Sequence, residues 1–482
     1  GQDAYNIGIG YNAGYAMTLG VQNIIIGGLA GDSLTSGNYN TAIGYAALSL
    51  EDGHGTNVAV GRAALNVLNA GQDAFNVAVG YNAGVAMSKG VYNTVLGGRA
   101  GDSINIGDDN VAVGYLALSG TGPGNKNTAI GKGALQIASQ TFAVNASALD
   151  HDGAAGAARR TVTHTADSKI EVGQIVTSGS IFAAFTTVDS ITDSTHFIIS
   201  QDANSSFTST TVLTFAGGQD ASNTAVGYNA GTAVTTAINN TLIGSSAGDA
   251  LTTGSYNVAV GASSLSTTSV TVGNTAIGYG SLSVNVHGSK NTAVGMNTLV
   301  AMAPVSSSDS HNTAIGYSSQ VSATTGEFNT SLGSLSMGVG VTIGDYNVAI
   351  GYNAGTDLTS GARNVSSGAF SLTNITTGSN NVAIGYGTMA TANTGESKNV
   401  AVGALALNLM DSGTDNFNTA VGYSAGKDVT TGVSNTIIGA LAGDGFEIGD
   451  FNVVVGKGAL SAANAGNNNT AVGYEALALA AH

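Results

Sequence analysis

Apolar and polar positions along the chain alternate in a short pattern that returns 23 times. Each copy starts at an asparagine, position 0, as in the segments NTAIGYAAL at 40–48 and NTAIGKGAL at 127–135. Position +1 is always Thr, Val or Ile, position +2 is mostly Ala, and position +3 is aliphatic in all but one copy. Position +4 is always Gly, and position +5 is often Tyr. The period of two predicts a short β-strand in each copy.

The copies are mostly 17 residues apart, with some intervals of 18, 19 or 21. A second glycine precedes many of the asparagines by three residues and marks a second turn. Two short strands and two turns in each copy predict one coil of a parallel β-solenoid. The chain is therefore expected to be all-β, a stack of about 23 coils that is roughly 110 Å long at a strand spacing of about 4.8 Å.

Stacking places the asparagines in a column, where their side chains hydrogen-bond from coil to coil. The glycine at position +4 permits a corner or a close approach that a Cβ would block. A bulky residue at +2 coincides with a small one at +5 in several coils, so volume is expected to be exchanged between these two positions. The residues singled out as structural are Asn40, Gly44, Asn127, Gly131, Asn274, Gly278, Asn469 and Gly473.

The repeat stops between Leu135 and Asn223 and then resumes in the same phase. Residues 136–217 hold six of the twelve Phe and none of the seventeen Tyr. Alternating stretches at 161–166, 173–180, 181–192, 196–200 and 211–216 predict strands of a small antiparallel barrel or sandwich. Three parts follow: solenoid coils at 1–135, an inserted β domain at 136–217, and further coils at 218–482. Phe182, Phe185 and Phe197 are expected in the core of the insertion.

Composition narrows the functional classes. The net charge of −16, with only 13 basic residues, disfavours a nucleic-acid partner. The chain has no cysteine, so it has no disulfide or thiolate metal site, and it has no apolar run long enough to insert into a membrane. It opens at Gly1 in mid-repeat, which suggests a fragment or a processed product.

The NxAIG and NTAVG segments resemble the head repeats of trimeric autotransporter adhesins. The longer form NTAVGYxAL is similar to repeats of bacteriophage tail fibres and related virion appendages. The resemblance covers the coils but not the insertion. It implies a left-handed parallel β-roll, a homotrimer, a location on a virion and a role in host attachment. It also implies that other virion or fibre proteins adjoin both ends.

Candidate chemistry is sparse. No catalytic residue, cofactor site or metal site is predicted, because the histidines lack ligand spacing and the Gly-Asp pairs are typical of turns. A trimer would place the small residues at +2, +4 and +7 around its common axis. Receptor contact, with a host cell-surface glycan or protein, is expected in the insertion at Arg159, Arg160 and His164.

Three alternatives remain open from the sequence. The same coil suits a bacterial surface adhesin or extracellular filament. A pair among the insertion's carboxylates suits a fibre-borne glycan depolymerase. The tyrosines at +5 suit either packing or an aromatic ladder for carbohydrate.

Overall fold

Each copy of the repeat forms one three-residue strand at positions +1 to +3 in the computed structural model of the chain. The structure describes residues 4–479, apart from 121, 123, 137–140, 152–159, 167–169, 171–173, 178–187, 200–210, 217–219, 305–307, 393–394 and 462–465. The described residues contain no helix.

The chain forms two compact units, Gly1–Tyr256 and Asn257–His482. The solenoid strands of the first unit are Ile7–Ile9, Ile24–Ile26, Thr41–Ile43, Val58–Val60, Val77–Val79, Thr94–Leu96, Val111–Val113, Thr128–Ile130, Thr224–Val226 and Thr241–Ile243. Those of the second unit are Val258–Val260, Thr275–Ile277, Thr292–Val294, Thr313–Ile315, Thr330–Leu332, Val348–Ile350, Val365–Ser367, Val382–Ile384, Val400–Val402, Thr419–Val421, Thr436–Ile438, Val453–Val455 and Thr470–Val472.

Neighbouring strands within each unit pair in parallel and in register. Ala42 lies beside Ala59 in the first unit, and Ala276 lies beside Ala293 in the second. Equivalent positions therefore form columns that run along each stack. The predicted all-β parallel solenoid of about 23 coils with a 17-residue period is confirmed.

The core lies inside the coils and is built mostly from small residues. In the third coil Ala42, Ala47 and Leu48, at positions +2, +7 and +8, are fully buried. A further apolar column at +11 includes Leu34 and Leu68, which are also fully buried. The small residues at +2 and +7, expected around a trimer axis, therefore face the interior of their own coil. The side chains at +1 and +3 point outward, because successive residues of a strand alternate between faces.

Each coil contains one regular strand rather than the two predicted. Three positions in each coil, −1, +6 and +8, adopt left-handed backbone, as at Tyr39, Ala46 and Leu48 with φ of 59°, 53° and 51°. Left-handed residues bend the chain and interrupt an extended strand. Beyond these strands the described solenoid adds only the short parallel pair Gly288–Ser289 and Ser308–Asp309, and two single bridges.

The asparagine column forms the predicted ladder. The N–H of Asn40 donates to Oδ1 of Asn23 at 2.8 Å, and Nδ2 of Asn40 donates to the carbonyl of His54, three residues before the next asparagine, at 3.1 Å. Asn127 and Asn274 make the equivalent N–H contact at 3.0 Å each, and Asn469 makes it at 2.8 Å. These amides are buried at almost every coil, so the ladder satisfies polar groups that water does not reach.

The glycine column at +4 marks the closest approach between coils. Gly278 has a φ of +128°, and a Cβ there would lie 2.5 Å from the carbonyl oxygen of Gly295. A Cβ at Gly44 or at Gly131 would lie equally close to the backbone of the next coil, at 2.5 and 2.4 Å. At Gly473 the nearest atom to such a Cβ is Cβ of Ala476, at 3.8 Å. The prediction that a Cβ is blocked at this column holds at Gly44, Gly131 and Gly278.

The insertion forms one six-stranded antiparallel sheet. Its strands, in spatial order, are Ile175–Thr177, Thr211–Ala216, Thr141–His151, Arg160–His164, His196–Ile199 and Val188–Asp193. The two edge strands meet where the N–H of Val188 donates to the carbonyl of Gln174 at 2.9 Å. This contact curls the sheet toward a barrel. Phe197 is fully buried in its core, whereas Phe182 and Phe185 lie outside the described residues.

The insertion leaves the solenoid without interrupting the stack. Thr128 pairs directly with Thr224 in the parallel sheet. The ladder also crosses the gap, because the N–H of Asn223 donates to Oδ1 of Asn127 at 3.2 Å. The expectation that the repeat resumes in phase is confirmed.

Candidate interaction surface

The outward face of the solenoid sheet carries two aliphatic columns, at positions +1 and +3. The side chains at +3 remain partly exposed throughout, for example Ile130, Ile277 and Ile384, whose exposed fractions are 38%, 38% and 41%. The alanines at +2 between these columns face inward. A β-branched face of this kind therefore runs along the sheet in each unit, and we call it the aliphatic face.

The tyrosine column at +5 borders the aliphatic face in the chain. Tyr occupies this position in eleven coils, and the Tyr rings are about half exposed or more. The other coils carry a small residue, a cation or, in one case, Met296 at +5. In the first unit the Arg62 guanidinium lies 5.9 Å from the ring centre of Tyr45 and 5.5 Å from that of Tyr81. Such cation–π contacts hold the rings in place at exposed sites.

A second aromatic column lies at position −1. In the first unit Phe75 stacks on Tyr92 with ring centres 5.7 Å apart. In the second unit His311, Phe328 and Tyr346 form a stack at 5.3 and 5.0 Å. This column was not predicted from the sequence, although aromatic residues precede the asparagine in many copies.

Lysines at position −1 form a recurring ion pair with an aspartate of the next coil. Nζ of Lys290 lies 2.6 Å from Oδ2 of Asp309, and Nζ of Lys398 lies 2.5 Å from Oδ2 of Asp415. Lys126 makes the same contact with Asp220, at 2.5 Å, across the insertion. All of these side chains are about half exposed, so each pair contributes little to stability. Each pair instead links two neighbouring coils whose asparagines are more than 17 residues apart in the chain.

The residues predicted for receptor contact are not brought together in the described part of the insertion. Arg159 lies outside the described residues, and Arg160 begins the strand Arg160–His164. His164 is 5% exposed, its Nδ1 lies 2.7 Å from the carbonyl of Thr165, and its ring packs 5.2 Å from that of Phe197. Burial in the sheet core does not favour a receptor contact at His164.

The insertion's carboxylates show no pair among the described side chains. Asp193 is the one acidic residue of the insertion whose side chain the structure describes, and it lies 2.8 Å from Nδ1 of His196. Hydrogen bonds from His196 and Thr195 lower the pKa of Asp193 to about 2. The remaining candidates, Asp150, Asp152, Asp167, Glu171 and Asp189, have no described side chain.

One polar cluster was not foreseen from the sequence. Glu51, Asp52 and His54 lie together in the third coil, with donor atoms that are all within 4.8 Å of one another. The Glu51 side chain is fully buried, and burial raises its pKa to about 7. A signal was present in the repeat, because Glu51 occupies the apolar +11 column between Leu34 and Leu68.

No family model, curated protein or solved structure that was compared with the chain gave a match. Among the described residues, no helix has the length and apolar character that crossing a membrane requires.

Proposed function

We propose that the chain is a structural fibre protein of a virion, in which three copies associate and support attachment to a host surface. The observation that carries this proposal is the aliphatic face. Contiguous apolar surface on a soluble protein marks an interaction site when it exceeds a few hundred Å². The same partly exposed Ile and Val pattern recurs from coil to coil in both units.

The repeat of the face restricts its partner. Apolar side chains recur at every strand spacing of about 4.8 Å, so a partner must carry the same period to match them coil by coil. Another copy of this chain has that period. Three copies, rather than two, follow from the resemblance to trimeric adhesin heads and phage fibres.

Attachment is proposed to reside in the insertion, which differs in composition from the coils. Three insertions on one trimer would bind a repetitive host glycan or a protein receptor with avidity beyond the affinity of one site. A bacterial surface adhesin built from the same coils is the alternative. Immunogold electron microscopy with an antibody against the chain separates the two, because gold falls on virus particles in one case and on cells in the other.

The oligomer is tested by placing charge on the aliphatic face. Ile277→Lys and Ile315→Lys together should convert a particle of three times the 47.3 kDa chain mass into monomers, since buried unpaired charge is strongly disfavoured. Ser334→Lys is the matched control, because position +5 already holds Lys132 and Lys457. Light scattering after size exclusion measures the mass. A wild-type monomer, or a trimer unaffected by both lysines, contradicts the proposal.

Attachment is tested separately with the insertion. A chain lacking residues 139–217 should retain its oligomeric state but lose binding to cells that the full chain binds, measured by flow cytometry with labelled protein. Undiminished binding would exclude the insertion as the attachment element.

A further inference from the structure

Glu51 occupies a position that the coil reserves for apolar side chains. The equivalent residues of the adjacent coils are Leu34 and Leu68, and both are fully buried in the core. The Glu51 side chain is also fully buried. A carboxylate in such a place is costly unless it is paired or coordinates a metal ion.

The protein contacts of Glu51 leave part of this carboxylate unsatisfied. Its Oε1 accepts the N–H of His54 at 3.3 Å. Its Oε2 is buried and makes no hydrogen bond of normal geometry with the described residues, although the backbone N–H of Ala70 also acts on the carboxyl. An acceptor in this state loses its hydration without replacement, which disfavours the folded state.

His54 is placed to complete a donor set with Glu51. Its Nδ1 lies 3.6 Å from Oε1 of Glu51 and 4.0 Å from Oδ1 of Asp52. Both distances are too long for a hydrogen bond, and the Nδ1 atom is buried with no partner among the described residues. Three potential metal-ligating atoms thus lie close together without forming hydrogen bonds to one another.

We propose that Glu51, Asp52 and His54 bind a zinc ion. Donors around tetrahedral zinc lie somewhat over 3 Å apart when each bond is about 2.0–2.1 Å long. The three ligand atoms, all within 4.8 Å of one another, can reach that spacing by side-chain movements of about 1 Å. Two carboxylates neutralise the ion's charge, and a neutral imidazole supplies the third ligand. Asp52 is half exposed, which leaves a side open to water as the fourth ligand.

The donor set distinguishes zinc from the common hard cations. Calcium takes six to eight oxygen ligands, and magnesium prefers an octahedral shell of oxygens. An imidazole with two carboxylates suits zinc better than either. The bound ion would fix the loop of the third coil, since all three ligands lie within 51–54.

The test is zinc binding by the untagged full chain, first stripped with a chelator and then desalted. Isothermal titration with zinc chloride should show one high-affinity site per chain, and zinc should raise the melting temperature. Cobalt in place of zinc should give the intense visible absorption of a tetrahedral site.

Two variants assign the site. His54→Ala removes a direct ligand, so it should weaken zinc binding by more than the roughly tenfold that loss of an outer-shell partner costs. Glu51→Leu should abolish it while keeping the fold, because it restores the residue of the adjacent coils. His311→Ala is the matched control, since this exposed histidine contacts an aromatic ring and belongs to no described metal cluster. Circular dichroism confirms that each variant is folded.

Each outcome decides the proposal. Stoichiometric binding that is lost in both cluster variants and kept in the control supports it. Absence of zinc binding by the wild-type chain overturns it. Binding that persists in Glu51→Leu and His54→Ala also overturns it, because the ion then lies elsewhere.

Discussion

The side-chain Oδ1 of Asn257 accepts the backbone N–H of Asn274 at 3.0 Å, and Oδ1 of Asn274 in turn accepts the N–H of Asn291 at 2.9 Å. The same side chain donates through Nδ2 to the carbonyl of Gly288 at 3.1 Å. One buried amide thus hydrogen-bonds two backbone groups, which lie 14 and 17 residues further along the chain. A side chain that satisfies two backbone groups is hard to replace.

Asn274→Ala should therefore destabilise the second unit by about 1–3 kcal/mol, because it leaves the buried N–H of Asn291 without a partner. The carbonyl of Gly288 loses one of two hydrogen bonds and keeps the one from Nδ2 of Asn285 at 2.8 Å. Asn353→Ser is the control. Position +6 holds Ser246 and Ser263 in other coils with the same left-handed backbone, so this change should be within about 0.5 kcal/mol of neutral. Urea unfolding followed by circular dichroism measures both. Equal effects of the two substitutions would contradict the role assigned to the ladder.

Gly278→Ala should lower the free energy of unfolding by more than 1 kcal/mol, because backbone strain alone costs about 1–3 kcal/mol. Its Cβ would meet backbone of the next coil at 2.5 Å, which no side-chain rotation relieves. Gly98→Ala is the control, since its Cβ would meet nothing closer than 3.6 Å and Ala262 occupies the same position of another coil. The measurement is the melting temperature of each variant. A harmless Gly278→Ala would show that the coils separate easily at this column.

Removing residues 139–217 should leave the stack of the first unit intact. The deletion keeps eight residues between Leu135 and Asn223, the number found in a 17-residue coil. The strands on either side already pair through Thr128 and Thr224. Circular dichroism and thermal melting should show the solenoid signal of the full chain. Loss of that signal would mean that the insertion stabilises the coils rather than branching from them.

Asp108→Asn should change how stability depends on pH. Burial raises the pKa of Asp108 above its usual 3.8, so the folded chain binds more protons than the unfolded chain just above that pH. The free energy of unfolding therefore falls as pH rises through this interval. The amide stays neutral and still accepts the N–H of Val91, as Asn38 accepts that of Val21.

The variant is then expected to be more stable than the wild type at pH 7 and to lose this advantage near pH 3. Chemical unfolding at the two pH values measures the difference. A gain of the same size at both would show that it does not arise from the titration of Asp108.

The sequence was sufficient to predict the strand, the asparagine ladder and the glycine contact, because each is a local rule repeated in every coil. It was misleading about which face of the strand lies inside. The larger Ile and Val at +1 and +3 are the more hydrophobic residues, yet the narrow coil admits only the small side chains at +2. The available width overrides the hydrophobicity of the single residue.

The exchange of volume was predicted between the wrong positions for the same reason. Ile25 at +2 is compensated by Gly31 at +8, where a Cβ would lie 3.2 Å from Cδ1 of Ile25. The sequence had indicated that the small residue at +5, Gly28, makes room for Ile25. Gly28 lies beyond the end of the strand and does not face the interior of the coil. Only the geometry of the closed coil shows that +2 and +8 share one space.

The insertion shows where pattern recognition fails. The stretch 211–216 was predicted as a strand and forms Thr211–Ala216. The longest strand of that sheet, Thr141–His151, was missed because its sequence TFAVNASALDH contains Asn, Asp and several Ala, which are poor strand formers. Its position between two partner strands, Thr211–Ala216 and Arg160–His164, supplies what its composition lacks.

The contact between Asn223 and Asn127 has a consequence for how such a gene changes. These residues are separated by 96 positions, yet they bond as neighbours 17 positions apart do. The ladder requires only that the next coil places its asparagine in register. It does not depend on the length of chain that connects the two coils. Recombination between repeats that adds or removes a whole coil is therefore neutral for the fold, whereas a shift of a single codon inside the strand is not. The number of coils therefore becomes a trait that unequal crossing-over adjusts in steps of one.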